Sequence, residues 1–238
     1  MRIRLPLGRT LFLVSAFLFA IVALLPLRLA LDWLALDERG FAAREAKGSL
    51  WLGALSEAQF GSVALGDLRA SLRTLPLFVG RARVDLVRDD DTEPFQASVT
   101  LSRNRFAIDD MTGPLAIAGA LAPLPIGTLA FEDVSAHFTD GMCSSAEGRV
   151  KAEVAGEAGG LPLPSALSGN ARCDQGALLL PLASQSGMES LNLRLFDDGR
   201  YELALAIRPA DDGMRDALLA AGFSLTATGY VLEAAGAL

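Results

Sequence analysis

Over most of this chain apolar and polar residues alternate with a period of two. Leu68, Ala70 and Leu72 alternate with Arg69, Ser71 and Arg73; Ala82, Val84 and Leu86 alternate with Arg81, Arg83 and Asp85; Phe95, Ala97, Val99 and Leu101 alternate with Gln96, Ser98 and Thr100. The same pattern returns at Phe106 and Ile108, at Val150, Ala152 and Val154, at Leu191, Leu193 and Leu195, and at Tyr201, Leu203, Leu205 and Ile207. Successive side chains of an extended strand point to opposite faces, so each run predicts a strand with one apolar and one wet face. Their recurrence at intervals of about ten to fifteen residues predicts an antiparallel meander. Asp89-Asp90-Asp91 and Asp197-Asp198-Gly199 supply polar turns, the second with the Asp-Gly pair that suits positive backbone angles. Leu129, Phe131, Val134, Ala136 and Phe138 form a further strand with one irregularity between Phe131 and Val134, and Ala171 and Cys173 share a face of another. The proline breaks at 122–125 and 161–164 suggest two stacked parts of one sheet and no strict repeat.

The period changes at both ends. Leu11 to Leu27 is an apolar run of Leu, Phe, Val, Ala and Ile with Arg2, Arg4 and Arg9 in front and Arg28 behind. A helix there covers most of a hydrocarbon core, and flanking arginines snorkel to supply the rest. Positive flanks stay in the cytoplasm, which places the following chain outside it. The division that results is a basic cytoplasmic N-terminus (1–10), a transmembrane signal anchor (11–31), a juxtamembrane segment (32–47) and a periplasmic β domain (48–238). A cleaved signal peptide has the same order of parts, but the run is long for one and no clean Ala-x-Ala site follows. Leu31, Leu34 and Phe41 permit an amphipathic helical extension through Lys47, and Trp33 has the place of an interfacial aromatic. Gly48-Ser49-Leu50-Trp51-Leu52-Gly53 then brackets an apolar strand start, with Gly48, Trp51 and Gly53 as a structural motif opening the sheet. Near the other end, Met214, Leu218 and Ala221 have helical spacing, with Asp211 or Asp212 as N-cap and Gly222 as stop; Phe223, Leu225, Ala227 and Gly229 give a last strand.

A formal net charge of −7 removes the surplus of Lys and Arg that phosphate binding needs, so nucleic acid is not an expected partner. The two cysteines, Cys143 and Cys173, are expected to form a disulfide in an oxidising compartment; they lack the Cys-x-x-Cys spacing of a redox pair, and His137 alone cannot complete a zinc site with them. His137 falls on the wet face of its strand. The clusters Asp89-Asp90-Asp91, Asp109-Asp110 and Asp211-Asp212 lack the spacing of a calcium loop and read as solvated turns. No nucleophile elbow, phosphate loop or dinucleotide fingerprint occurs. Catalytic, cofactor and metal residues are therefore set at none, and an enzyme is not expected.

The anchor, Gly48-Ser49-Leu50-Trp51-Leu52-Gly53, Leu75-Pro76-Leu77, the cysteine pair, Asp198-Gly199-Arg200-Tyr201 and Gly222-Phe223 occur in an order that resembles the type II secretion system protein N family. The resemblance covers nearly the whole chain. It implies an accessory inner-membrane component of the machine that moves folded periplasmic proteins across the outer membrane, with other components of that machinery as partners. The family is similar to AsmA-like periplasmic proteins, which implies a mainly β fold: an N-terminal transmembrane helix, an elongated, curved antiparallel sheet forming a groove or flattened half-barrel, and one short C-terminal helix. The alternative function is lipid binding or transfer, with an acyl-chain ligand lying in the apolar groove and the membrane lipid met through the anchor.

Overall fold

The computed structural model describes residues 7–33, 40–117, 119–122, 124, 126–154, 157–158, 161–162, 166–208, 215–227 and 229–237. The expected N-cap aspartates, Met214 and the side chain of Trp33 lie outside what is described. Helix α1 (Leu7–Ala23) is followed by a short helix α2 (Leu27–Trp33), so the single helix expected over 11–31 is interrupted. Pro26 is the cause: it has no N–H for a helical bond, and it drives Leu25 before it out of the helical region. The 17 residues of α1 rise about 25 Å. Among the described residues, no helix is long and apolar enough to cross a membrane.

Of the helical extension expected through Lys47, Leu34 lies outside the described residues, and the part from Phe41 onward is strand instead. β1 (Phe41–Ala42) and β2 (Glu45–Gly48) both pair with β3 (Gly53–Phe60), and Phe41 and Ala46 pack on the core while Glu45 and Lys47 face water. From there the chain runs through β4 (Val63–Arg73), a helical turn α3 (Thr74–Leu77), β5 (Ala82–Arg88), β6 (Phe95–Ser102), β7 (Arg105–Ala116), β8 (Ile126–Thr139) and β9 (Met142–Val154). A separate pair, β10 (Glu157–Ala158) and β11 (Leu161–Pro162), precedes β12 (Ala166–Asn170), β13 (Arg172–Asp174), β14 (Ala177–Ala183), β15 (Glu189–Leu195) and β16 (Arg200–Ile207). Helix α4 (Arg215–Ala220), β17 (Ser224–Thr226) and β18 (Gly229–Ala237) follow.

Sixteen of the described strands form one antiparallel sheet in the order β1-β3-β4-β5-β6-β7-β8-β9-β12-β14-β15-β16-β18-β17, with β2 and β13 beside that path. Pro123, Pro125 and Pro164 of the two proline breaks lie outside the described residues, Leu161–Pro162 forms β11, and the hydrogen-bonded sheet continues from β7 to β8 and from β9 to β12. One extra pairing, Ala64 with Ala116, joins β4 to β7 and rolls four strands into a small closed turn of sheet. Arg88 holds that seam, donating to the Leu65 carbonyl at 3.0 Å on β4 and the Pro114 carbonyl at 2.8 Å on β7, with its guanidinium over the Phe95 ring. A single apolar cluster runs from Leu27 to Tyr230.

The irregularity expected between Phe131 and Val134 is a bulge at Asp133, whose φ is +49°. Opposite it, Gly148 has φ +103°, and a Cβ there would meet the Asp133 carbonyl at 2.5 Å; only glycine fits. Three details differ from expectation. Ala171 and Cys173 do not share one strand, because the chain breaks at Ala171 between β12 and β13. The last strand is two, β17 and β18, since Gly229 with φ +136° starts a return strand. Strand β14 has no alternation to reveal it: it is central, and Leu178, Leu179, Leu180 and Leu182 are all buried. Helix α4 ends as the sequence expects, with Gly222 at φ +91° and the Phe223 N–H returning to the Leu218 carbonyl at 3.0 Å.

Candidate functional site: the helix-proximal rim of the sheet

The segment from Gly48 to Gly53, expected as the strand start that opens the sheet, is the turn between β2 and β3, because residues 49–52 are tied to one another and to the end of α1. Ser49 and Leu52 close a tight turn through reciprocal backbone bonds of 3.1 and 3.2 Å. Pro26 forms a β-bridge with Ser49, the Leu50 N–H donates to the Leu25 carbonyl at 2.9 Å, and the Trp51 indole Nε1 donates to the Val22 carbonyl at 3.0 Å. The last carbonyls of a helix have no intrahelical donor, so Trp51 and Leu50 supply what the proline break leaves open. Gly53 lies against the buried Leu27 side chain, which occupies the space of any Cβ at that position. Sequence reasoning named Gly48, Trp51 and Gly53 but assigned them to the sheet alone. Gly53→Val should therefore lower stability by about 1–3 kcal/mol through overpacking, and Trp51→Phe by about 1 kcal/mol through the lost hydrogen bond. Urea denaturation of the two variants checks this; wild-type midpoints in both would show that the junction contributes nothing.

Strand register places several hairpins at this same end. Gly53 pairs with Ala70, so Arg73 and α3 lie beyond the Gly48–Gly53 turn; Arg73 pairs with Arg83, Ala82 with Leu101, and Arg105 with both Ser102 and Thr139. The α3 turn, Arg103-Asn104 and Asp140-Gly141 thus line one rim. Its first part is apolar and open to solvent: Leu52 is 77% exposed, Leu75 79%, Phe78 86% and Val79 71%. A run of five apolar residues between Arg73 and Arg81 was the available signal, but it reads equally as a buried strand start.

Behind the rim, on the wet face, Asp85 collects Ser98 Oγ at 2.8 Å and Arg73 Nε, with Arg83 Nε at 3.5 Å. Burial opposes ionisation, yet the hydrogen bonds of Arg73 and Ser98 and the charges of Arg73 and Arg83 outweigh it and hold the Asp85 carboxyl below its ordinary value near 3.8. A depressed carboxyl stabilises the fold above its unfolded pKa and loses that contribution as pH falls through its folded one. Asp85→Asn should cost about 1–2 kcal/mol at neutral pH, and the difference from wild type should shrink as pH falls below 3.8 and through the lowered folded-state value. Urea midpoints at neutral pH and along an acid series check the sign.

The structure joins Cys143 on β9 to Cys173 on β13, with Cα atoms 5.5 Å apart, so neither sulfur is free to ligate a metal. His137 stands on the wet face, its Nε2 2.7 Å from Asp109 Oδ1 and its Nδ1 3.3 Å from Ser145 Oγ. Ser145 is not placed as a nucleophile: it lies in mid-strand, paired opposite His137, with no oxyanion-binding turn beside it. Among the described residues, no group of three or more His, Cys, Asp or Glu is placed to hold a metal ion.

Residues 39–232 match the family model described as type II secretion system (T2SS), protein N. No curated protein and no solved structure shows significant similarity to the chain. The matched span begins just before the first strand, takes in the Gly48–Gly53 turn with Trp51, both cysteines and α4, and ends within β18; over that span the chain belongs to the type II secretion system protein N family.

Proposed function

We propose that this protein is a non-enzymatic accessory component of the type II secretion machinery, held in the bacterial inner membrane by α1 with its sheet in the periplasm, where it supports export of folded proteins across the outer membrane. The observation that carries this reading is the family match over the sheet, joined to a helix that leaves its apolar side chains uncovered. Leu11, Phe12, Phe17, Phe19 and Leu24 are all exposed, although the sheet next to them is a well-packed core. A row of bare leucines and phenylalanines in water is unfavourable at about 25 cal/mol per Å², which a bilayer relieves. Helix α1 as described is too short to cross a membrane by itself, but in the sequence the apolar run continues to Leu27, and the arginines at 2, 4, 9 and 28 flank it at positions that suit the two headgroup layers. A disulfide agrees with an oxidising compartment.

The partners are other inner-membrane and periplasmic parts of the same machinery, met through backbone edges and surface turns. The lipid-carrying alternative gains no comparable observation, since the leucines of β14, β15 and β16 fill the apolar face themselves. Deleting the gene in its parent bacterium should leave a type II substrate in the periplasm, and removing residues 1–31 should release the protein from the inner-membrane fraction. Normal secretion in the deletion strain, with no machinery component co-purifying with the tagged protein, would overturn the role.

A further inference from the structure

The rim next to α1 is built like a second contact with the membrane. Leu75, Pro76, Leu77, Phe78 and Val79 form a turn whose tip is open to solvent: Pro76 and Leu77 are partly covered, but its largest side chain, Phe78, is 86% exposed, and the exposed Leu52 of the neighbouring hairpin lies on the same rim. Arg81 follows the turn directly, and Arg103 and Arg105 occupy the next hairpin of the rim. Among the described residues these three arginines have no ion-pair partner, whereas Arg73 and Arg83 behind them are neutralised by Asp85 and Asp109. In a chain with seven more formal negative than positive charges, unpaired cations around an apolar tip are not the expected background.

The distribution of charge gives the same strands a direction. Arg88 pairs with Phe95 at the far end of β5 and β6, and the turn between them carries Asp89, Asp90, Asp91 and Glu93. One end of this rolled part of the sheet is thus apolar and basic, and the other acidic. Beyond β8 the rim carries Asp140, Asp197 and an ion pair between Asp198 and Arg200, so the basic, apolar part is confined to the strands nearest α1. A recess of about 570 Å³ opens beside Pro76 and Val79, with Arg81, Arg105 and Ser102 on its walls.

We propose that the turn from Leu75 to Val79 is seated in the headgroup layer of the bilayer that α1 enters, with Arg81, Arg103 and Arg105 on the phosphates of anionic phospholipids. Apolar side chains enter the headgroup and acyl boundary while neighbouring arginines stay at the phosphates, and the two contributions add. With the Trp51 clamp fixing the end of α1 to the sheet, this second contact sets the sheet's angle to the membrane. The inference rests on α1 being the membrane anchor.

The test uses the full chain in vesicles. Because both native cysteines are bridged, Phe78→Cys or Asp91→Cys introduces one free thiol for an environment-sensitive nitrobenzoxadiazole probe. In flotation with phosphatidylcholine–phosphatidylglycerol vesicles, the probe at 78 should be quenched by spin-labelled phospholipid and shielded from iodide, and the probe at 91 should show the reverse. Leaving out phosphatidylglycerol should lower the immersed fraction at 78, and reversing each of Arg81, Arg103 and Arg105 to glutamate should lower the immersed-to-free ratio by about fivefold or more per residue. A chain that floats but whose probe at 78 is as open to iodide as the probe at 91 overturns this inference and leaves the anchor reading intact. A chain that does not float overturns the anchor reading and this one with it. Shielding that appears only when other membrane proteins are present would assign the turn to a protein partner instead.

Discussion

Replacing Cys143 and Cys173 together with serine is expected to lower the stability of the sheet by about 3–4 kcal/mol, the loop-closure value for a bond spanning a sequence separation of 30. The bond carries this weight because of where it sits. β12 continues the sheet from β9, but after the break at Ala171 the short strand β13 pairs with β14 over three residues, and the segment's links back to β9 are the cysteines and two backbone bonds, from the Ala171 N–H to the Gly148 carbonyl at 2.9 Å and from the Cys143 N–H to the Gly176 carbonyl at 2.7 Å. Without the bridge, those two bonds are what hold to β9 the strand that leads into the most buried part of the core. A urea midpoint lowered by about 1–2 M, reproduced in the wild type by reductant, is the expected readout. Unchanged midpoints in both experiments would mean that backbone pairing alone secures the connection. The double replacement is the informative variant, since a single one leaves a reactive thiol behind.

Leu191→Ala should cost as much or more, about 2–5 kcal/mol. Leu191 has no exposed surface, and register sets it between Leu182 of β14 and Leu205 of β16, so three buried leucines stand in a row across three strands. Truncation opens a cavity that the hydrogen-bonded strands on either side cannot close. Leu75→Ala is the matched control: the same chemical change at a 79% exposed position should shift the midpoint by less than about 0.5 kcal/mol. Paired with the vesicle experiment, the contrast separates leucines that hold the fold from leucines that meet the membrane. Equal costs at the two positions would mean that the Leu75 turn is packed in solution.

The strands were legible where one face is wet. Along β16 the alternation records burial directly, with Tyr201, Leu203, Leu205 and Ile207 buried and Glu202 exposed; along β5 it marked the strand but not its burial, since Val84 and Asp85 are both half-buried where the sheet rolls. The bulge near Asp133 and the stop at Gly222 were legible for a similar local reason, since a broken period and a glycine after a helical pattern are local events. The family's order of short motifs could also be read, although no single motif carries a role.

What the sequence did not disclose depends on contacts between distant residues. β14 is buried on both faces and so has no period; β1 and β2 are too short to build one. The closure of β4 on β7, with Arg88 across the seam, joins residues brought together only by the roll of the sheet. Trp51 is recognisable as an opening motif, yet its partner is the carbonyl of Val22, 29 residues earlier, and only the docked helix defines that bond. The exposed tip at Phe78 likewise resembles core sequence, because an apolar run specifies hydrophobicity and leaves open what covers it. By itself the sequence determined an apolar leading helix, an antiparallel sheet and a cysteine pair, since these follow from local composition and period. Tertiary structure alone decided which apolar residues are covered, how the helix is clamped and which end of the sheet is basic, because each is set by the register and roll of strands far apart in the chain.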